Sequence, residues 1–177
     1  TIDGGAGSDY VVYSTSGSAV TVNLLTNVNT GGEAQGDLIS NVENIIGSDF
    51  NDNLTGNSSD NTFDGRAGAD TINGGDGLDT VSYASSAVVV NVDLKRTTSQ
   101  EWGAAGDTIV NVENLIGSAF GDTLSAAVVG SIIHGGDGGD SINGDAGNDT
   151  LHGDAGDDTF YAGDGDDTIY GGLGNDT

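Results

Sequence analysis

The sequence predicts an all-β fold in which the chain winds into a parallel solenoid, and three features of its 177 residues support this prediction. A nine-residue unit recurs end to end over residues 135–177, with one large apolar residue in each complete unit. Units of the same phase recur over residues 38–82 and again after Asp107. A segment of about seventy residues also occurs twice in succession. Repeats of a short fixed period are the sequence signature of solenoid proteins.

Each nine-residue unit of residues 135–177 has a turn half and a strand half. Glycines in the turn half permit the positive φ angles of a tight turn. The three residues after position six form a short strand with one inward side chain. Position six is always aspartate: Asp140, Asp149, Asp158, Asp167 and Asp176. Position eight is the predicted inward residue: Ile142, Leu151, Phe160 and Ile169. In the earlier units the same position gives Ile45, Leu54, Phe63, Ile72, Val81, Leu115, Leu124 and Ile133.

The stacking of the units predicts bound cations. Two units make one coil, so Asp140 lies over Asp158, and Asp149 lies over Asp167. Strands stack about 4.8 Å apart, and unshielded carboxylates at that distance repel each other. Calcium fits best between them, because Ca²⁺ takes about 6–8 oxygen ligands, tolerates irregular geometry and accepts backbone carbonyls.

Composition excludes several classes of function. The formal net charge is −25, with only three basic residues, so binding to nucleic acid or to an anionic membrane is not expected. High charge with low hydrophobicity predicts a disordered chain without its cations, so that metal binding and folding form one event. The chain has no cysteine, which excludes disulfides and thiolate metal sites. No segment is apolar and long enough to insert into a membrane.

The units resemble the RTX (repeats-in-toxin, haemolysin-type calcium-binding) nonapeptide GGxGxDxUx. The likeness is close over residues 135–177 and looser elsewhere; a flexible Gly/Asp-rich linker would not keep an apolar residue at every position eight. The resemblance implies a β-roll stapled by calcium, secreted from a Gram-negative bacterium by type I secretion. It also implies covalently linked partner domains, such as a protease, lipase or toxin.

By the same resemblance, each ion lies between two stacked turns and takes position-six carboxylates and main-chain carbonyls of the glycine turns. We expect about six ions, which would offset roughly half of the net charge. The strongest expected pairs are Asp140/Asp158, Asp158/Asp176 and Asp149/Asp167, followed by Asp52/Asp70, Asn61/Asp79 and Asp122/Asp140. The expected turn glycines are Gly135, Gly138, Gly144, Gly147, Gly153, Gly156 and Gly171. Some turns depart from the pattern, and we expect them to be filled by apolar residues instead: Ile46, Phe50, Ile116 and Phe120.

The chain is predicted to form one solenoid over residues 1–177, cut from a larger protein. Residues 13–82 and 83–152 form the duplicated units, and residues 135–177 form the regular nonapeptide array. A second possible role is a structural or adhesive one, as in an RTX adhesin or a surface-layer protein; the flanking domains would distinguish the two roles.

Three further features have alternative explanations. His134 and His152 stand at position nine of units eighteen residues apart and are expected to lack a carboxylate partner, which favours a solvated pair over a transition-metal site. The segment 95–106 contains Trp102 and is either an ordinary loop with a half-buried tryptophan or a contact surface for a partner. Paired carboxylates can indicate a glycosidase, but the calcium ions expected between the stacked turns already account for these carboxylates. Since no zinc-protease, nucleophile-elbow or phosphate-loop motif is present, we expect no enzyme activity.

Overall fold

The protein is described here from a computed structural model, which covers residues 1–97 and 100–177. In this part of the chain the regular structure consists of short β-strands and one turn of 3₁₀ helix, Gly32–Ala34. The strands of the first half are β1 Ile2–Asp3, β2 Tyr10–Val12, β3 Thr21–Asn23, β4 Ile39–Ser40, β5 Asn44–Ile46, β6 Asn53–Thr55, β7 Thr62–Asp64, β8 Thr71–Asn73 and β9 Thr80–Ser82. Those of the second half are β10 Val90–Asp93, β11 Glu101–Trp102, β12 Thr108–Val110, β13 Asn114–Ile116, β14 Thr123–Ser125, β15 Ile132–Asp137, β16 Ser141–Asn143, β17 Thr150–Ala155, β18 Thr159–Tyr161 and β19 Thr168–Tyr170. No helix among the described residues has the length and apolar character needed to cross a bilayer.

Successive strands alternate between two faces of a solenoid, except that β3 and β4, and likewise β10, β11 and β12, follow one another on the same face. One face is a parallel sheet of eight strands in the order β19-β17-β15-β13-β9-β7-β5-β2. The other face consists of three smaller sheets, with the strand orders β11-β10-β14-β16-β18, β12-β8-β6-β3 and β1-β4. All named pairs are parallel except β10 with β11. The predicted all-β parallel solenoid is therefore confirmed.

The register confirms that two nonapeptides make one coil. Thr150 pairs with Thr168 and Ser141 pairs with Thr159, each eighteen residues apart. The spacing becomes 34 between Thr80 and Asn114, because the chain leaves the nonapeptide phase between β9 and β12. Tyr10 and Asn44 are also 34 residues apart, as expected from the duplication.

A single row of apolar side chains from each face forms the core. The strands show one buried residue flanked by half-exposed ones, since alternate strand residues point to opposite sides. The predicted position-eight residues that are buried are Ile45, Leu54, Phe63, Ile72, Val81, Leu115, Leu124, Ile133, Ile142 and Leu151. Phe160 is only half-buried and Ile169 is 44 % exposed, because the last strands are covered by neighbours on one side only.

Candidate metal sites in the stacked turns

Position-six residues of successive coils are joined by a repeated hydrogen bond. The main-chain NH of Asp140 donates to Oδ1 of Asp158 at 2.8 Å, and the NH of Asp158 donates to Oδ1 of Asp176 at 3.1 Å. On the other edge, the NH of Asp149 donates to Oδ1 of Asp167 at 2.9 Å. The aspartates therefore point along the stack and not outward into solvent.

The second oxygen of several of these aspartates has no hydrogen-bond partner. These buried oxygens are Oδ2 of Asp9, Asp79, Asp140, Asp149 and Asp158. Buried polar atoms in folded proteins are almost always paired, and an unpaired buried carboxylate oxygen is costly. A bound cation supplies the missing partner, so the orphaned oxygens fit the predicted calcium ions.

The turns that carry these oxygens have a left-handed backbone at positions two and four. Position four is glycine throughout this class, with φ of 116° at Gly138, 121° at Gly147 and 150° at Gly156. Position two is glycine or a residue such as Asp154, with φ of 67°; a short polar side chain tolerates this conformation. A Cβ atom at Gly156 would collide with the carbonyl oxygen of Gly138 in the preceding coil, so glycine is required there.

Position-one glycines lie directly over the orphaned oxygens. A Cβ atom at Gly135 would meet Oδ2 of Asp140 and the carbonyl oxygen of Gly153. Gly144, Gly153 and Gly171 lie in the same way against the aspartates of their own units. Carboxylate and carbonyl oxygens thus converge at the turns, and oxygen is the ligand type that calcium prefers.

Electrostatics inside the turns favour a cation. Burial, together with the neighbouring carboxylates of Asp122 and Asp158, raises the pKa of Asp140 to about 7. Burial and the Glu113 carboxylate raise the pKa of Asp79 to about 6. Burial and neighbouring carboxylates also raise the pKa values of three further turn carboxylates, Asp70, Asp149 and Asp158. Each shift means that the negative form lacks stabilisation in the metal-free fold.

A second class of turn satisfies its carboxylate with protein donors. Oδ2 of Asp52 accepts the NH of Ser48 at 2.5 Å, and Oδ1 accepts the Ser48 hydroxyl at 2.7 Å. Ser118 donates in the same way to Asp122, at 2.6 and 2.9 Å. These turns have no left-handed residue. Sequence reasoning missed the serines, although both stand directly after the position-one glycine in the two copies.

Two more turns of this class use other donors and acceptors. The side-chain oxygen of Asn61 accepts the NH of Asn57 at 2.8 Å and occupies the second-oxygen position, while the amide nitrogen donates to the carbonyl of Glu43 at 2.7 Å. The Ser131 hydroxyl accepts the NH of Ala127 at 3.2 Å and donates to the Val129 carbonyl at 3.2 Å. In these turns, too, polar donors within the turn satisfy the position-six side chain.

The expectation that apolar residues fill these turns is wrong. Phe50 and Phe120 are 45 % and 42 % exposed. Ile46 and Ile116 are half-exposed strand residues that pair with neighbouring strands. Filling fails because the buried carboxylates need hydrogen-bond donors, which the serines provide and phenylalanine side chains lack.

The segment 95–106 is exposed over most of its described part, although Gln100 and Ala104 are buried; Thr98 and Ser99 lie outside the described residues. Trp102 is 67 % exposed, so the expectation of an ordinary loop with a half-buried tryptophan is wrong. It borders a groove of about 560 Å³ that also includes Arg66 and Ser85. Lys95 forms an ion pair with Asp145 in the nonapeptide array. A partner contact at this segment remains a prediction.

The fold and the orphaned oxygens together define a calcium-binding solenoid. Comparison with family profiles finds four copies of the RTX calcium-binding nonapeptide repeat, at residues 1–14, 46–81, 131–160 and 144–177. These ranges cover more than half of the chain, and the protein belongs to this family of calcium-binding repeats. No curated protein matches the sequence. The copies include most of the left-handed turns and leave out the stretch that contains Ser118 and Asp122.

Proposed function

We propose that this chain is a calcium-binding RTX module of a secreted bacterial protein, which folds when it binds calcium after export and stabilises the protein that contains it. The observation that carries the proposal is the set of buried Oδ2 atoms without a partner, which recur at stacked turns of one backbone class. A fold that leaves these atoms unpaired is costly without a cation and stable with one.

The strongest proposed sites lie between two left-handed turns. Asp140 with Asp158, Asp158 with Asp176, and Asp149 with Asp167 meet this condition. In each pair, we propose that the ion takes the free carboxylate oxygens and carbonyl oxygens of the glycine turns. Asp158 belongs to two pairs, so occupation of one site orders the next, and binding is cooperative.

Other proposed sites have one left-handed turn and one turn of the second class. They include Asp70, which stacks on Asp52, and Asp79, which stacks on Asn61. Because Asp52 already accepts three hydrogen bonds, we propose that such sites bind calcium more weakly. A total of about six ions follows if the weaker turns also fill, and this number would offset about half of the −25 charge.

The charge explains why folding would wait for export. Inside a cell calcium is scarce, and a chain with 28 acidic and three basic residues repels itself. Extracellular modules bind calcium at about 10⁻⁴–10⁻³ M, so an unfolded chain would fold only outside the cell. Family resemblance supports export from a Gram-negative cell.

Circular dichroism in chelator and in calcium tests the proposal. We expect a largely disordered spectrum in chelator and a cooperative gain of β-structure as Ca²⁺ rises through about 10⁻⁴–10⁻³ M. Magnesium at the same concentrations is the control, because its octahedral geometry and firmly held water suit these turns poorly. A full β spectrum in chelator, with no thermal shift on adding calcium, would contradict the proposal.

A further inference from the structure

The outer face of the eight-stranded sheet carries a ladder of stacked rings. His134 pairs directly with His152 in the sheet, and their rings are parallel, with centroids 4.2 Å apart and an angle of 4° between planes. Tyr170 stacks on the other side of His152, with centroids 4.7 Å apart. The register of the solenoid therefore brings both histidines of the chain together at the surface.

A carboxylate completes this group. Asp154 stands at position two of the next turn, and its Oδ2 lies 3.1 Å from Nδ1 of His134. The expectation that the two histidines lack a carboxylate partner is therefore wrong. The left-handed backbone of Asp154, with φ of 67°, directs its main-chain carbonyl toward Gly172 in the following coil, while its side chain is 41 % exposed.

The separations of these groups suit a tetrahedral metal ion. One ligand atom from each of His134, His152 and Asp154 lies within 4.8 Å of the others. Zinc–ligand bonds of about 2.0–2.2 Å place neighbouring ligand atoms about 3.3 Å apart. His134 Nδ1 and Asp154 Oδ2 already meet this separation at 3.1 Å. To share one ion with them, the His152 ring must tilt out of its stack between His134 and Tyr170.

The donor set distinguishes this group from the calcium turns. Two imidazoles and one carboxylate suit zinc and its transition-metal neighbours, whereas calcium takes oxygen ligands. The orphaned calcium-turn oxygens point along the stack and are buried, while the imidazoles face outward. We propose that His134, His152 and Asp154 form a surface site for Zn²⁺ or a similar transition-metal ion, with the remaining coordination positions open to water.

Metal titration of tag-free protein in saturating calcium tests the site. We expect one equivalent of Zn²⁺ to bind by calorimetry, and Co²⁺ to give the visible absorption of a four-coordinate complex. Because the chain has only two histidines, imidazole NMR signals report on this site alone. Both signals should shift on adding one equivalent of Zn²⁺.

Variants separate this site from zinc at the oxygen-rich turns. His134→Ala, His152→Ala and Asp154→Asn should each weaken zinc binding at least tenfold and abolish the cobalt absorption. Asp145→Asn is the matched control, since Asp145 has the same turn position and φ of 66° but is not part of the ligand group. Circular dichroism in calcium checks that every variant is folded. Zinc binding that is absent in the parent chain, or as strong in either histidine variant as in the parent chain, would overturn the proposal.

Discussion

The Tyr83 hydroxyl donates a 2.8 Å hydrogen bond to Oδ2 of Asp107, while Oδ1 of the same carboxylate accepts the main-chain NH of Asp70. The pair is repeated seventy residues earlier, where Tyr13 donates to Asp37 at 2.9 Å. In both coils a phenol occupies the place that we assign to calcium in the nonapeptide turns. The solenoid therefore uses at least two means of satisfying a stacked carboxylate.

Replacing Tyr83 with phenylalanine should destabilise the calcium-loaded protein by about 1–3 kcal/mol, because a buried carboxylate oxygen then lacks its donor. Asp107 is 3 % exposed, whereas Asp37 is half-exposed and can turn to water. Tyr13→Phe should therefore cost less. Denaturant unfolding in saturating calcium measures the free energy of unfolding of each variant. Equal losses of stability in Tyr83→Phe and Tyr13→Phe would contradict the expectation that the buried hydrogen bond contributes more than the half-exposed one.

Asp158→Asn should reduce calcium binding and weaken its cooperativity, since we place Asp158 between two ions. In chelator the same change should leave the chain no less stable, because it removes one of several mutually repelling charges. Calcium titration followed by circular dichroism gives the midpoint and the steepness of folding.

Asp122→Asn is the matched control for this prediction. Its amide nitrogen would face the Ser118 NH or hydroxyl, so the loss of stability should appear at every calcium concentration. The midpoint of the calcium titration should change less than for Asp158→Asn. If the two variants shift the calcium midpoint equally, the division into two turn classes does not describe calcium binding.

Calcium affinity should fall as the pH is lowered from 8 to 6. Burial and nearby carboxylates raise the pKa of Asp140 to about 7 and that of Asp79 to about 6, so protons compete with calcium in this range. Each displaced proton should change the affinity by up to about tenfold per pH unit below the pKa. Calorimetry in buffers of different ionisation enthalpy would detect the released protons.

The calcium-free fold should show the opposite trend. A carboxylate whose pKa is higher in the folded state binds protons more tightly there, so its contribution to stability falls as pH rises from about 4, its unfolded value, through about 7. Any β-structure seen in chelator should therefore increase at acidic pH. A loss of β-structure on acidification in chelator would contradict the assigned direction of these pKa shifts.

Gly156→Ala should be strongly destabilising in calcium, because φ is 150° and the added Cβ would collide with the Gly138 carbonyl. Gly5→Ala isolates the backbone strain, since φ is 94° there but no atom lies within 4 Å of the added Cβ. Gly17→Ala has neither problem and should be nearly neutral. Thermal unfolding in calcium should rank the losses Gly156, Gly5, Gly17, and a different order would reject the steric explanation.

Much of the fold was predictable because the repeat is local. An apolar residue at a fixed position identifies both the inward side chain and the strand, so Ile142 and Leu151 were assigned correctly to the core. Ile169 was also assigned inward and is 44 % exposed. Periodicity gives the direction of a side chain within a coil, but burial also depends on the presence of a neighbouring coil.

The site was less predictable where the pattern breaks. A missing glycine shows that a turn differs, but not how its carboxylate is satisfied. Ser48 and Tyr83 act through hydrogen bonds that depend on the fold, and Tyr83 lies 24 residues from its partner. Asp154 likewise lies 20 residues from His134, so only the stacking reveals their contact.

The two turn classes are unevenly distributed along the solenoid. From Gly135 onward every turn has the left-handed glycine of position four, whereas serine, asparagine and tyrosine donors are concentrated in the coils before it. Gradual removal of calcium should therefore unfold the coils after Gly135 first. The middle coils, whose carboxylates are satisfied by protein donors, should be the last to lose their order. The calcium concentration would then determine how many coils of the solenoid are folded.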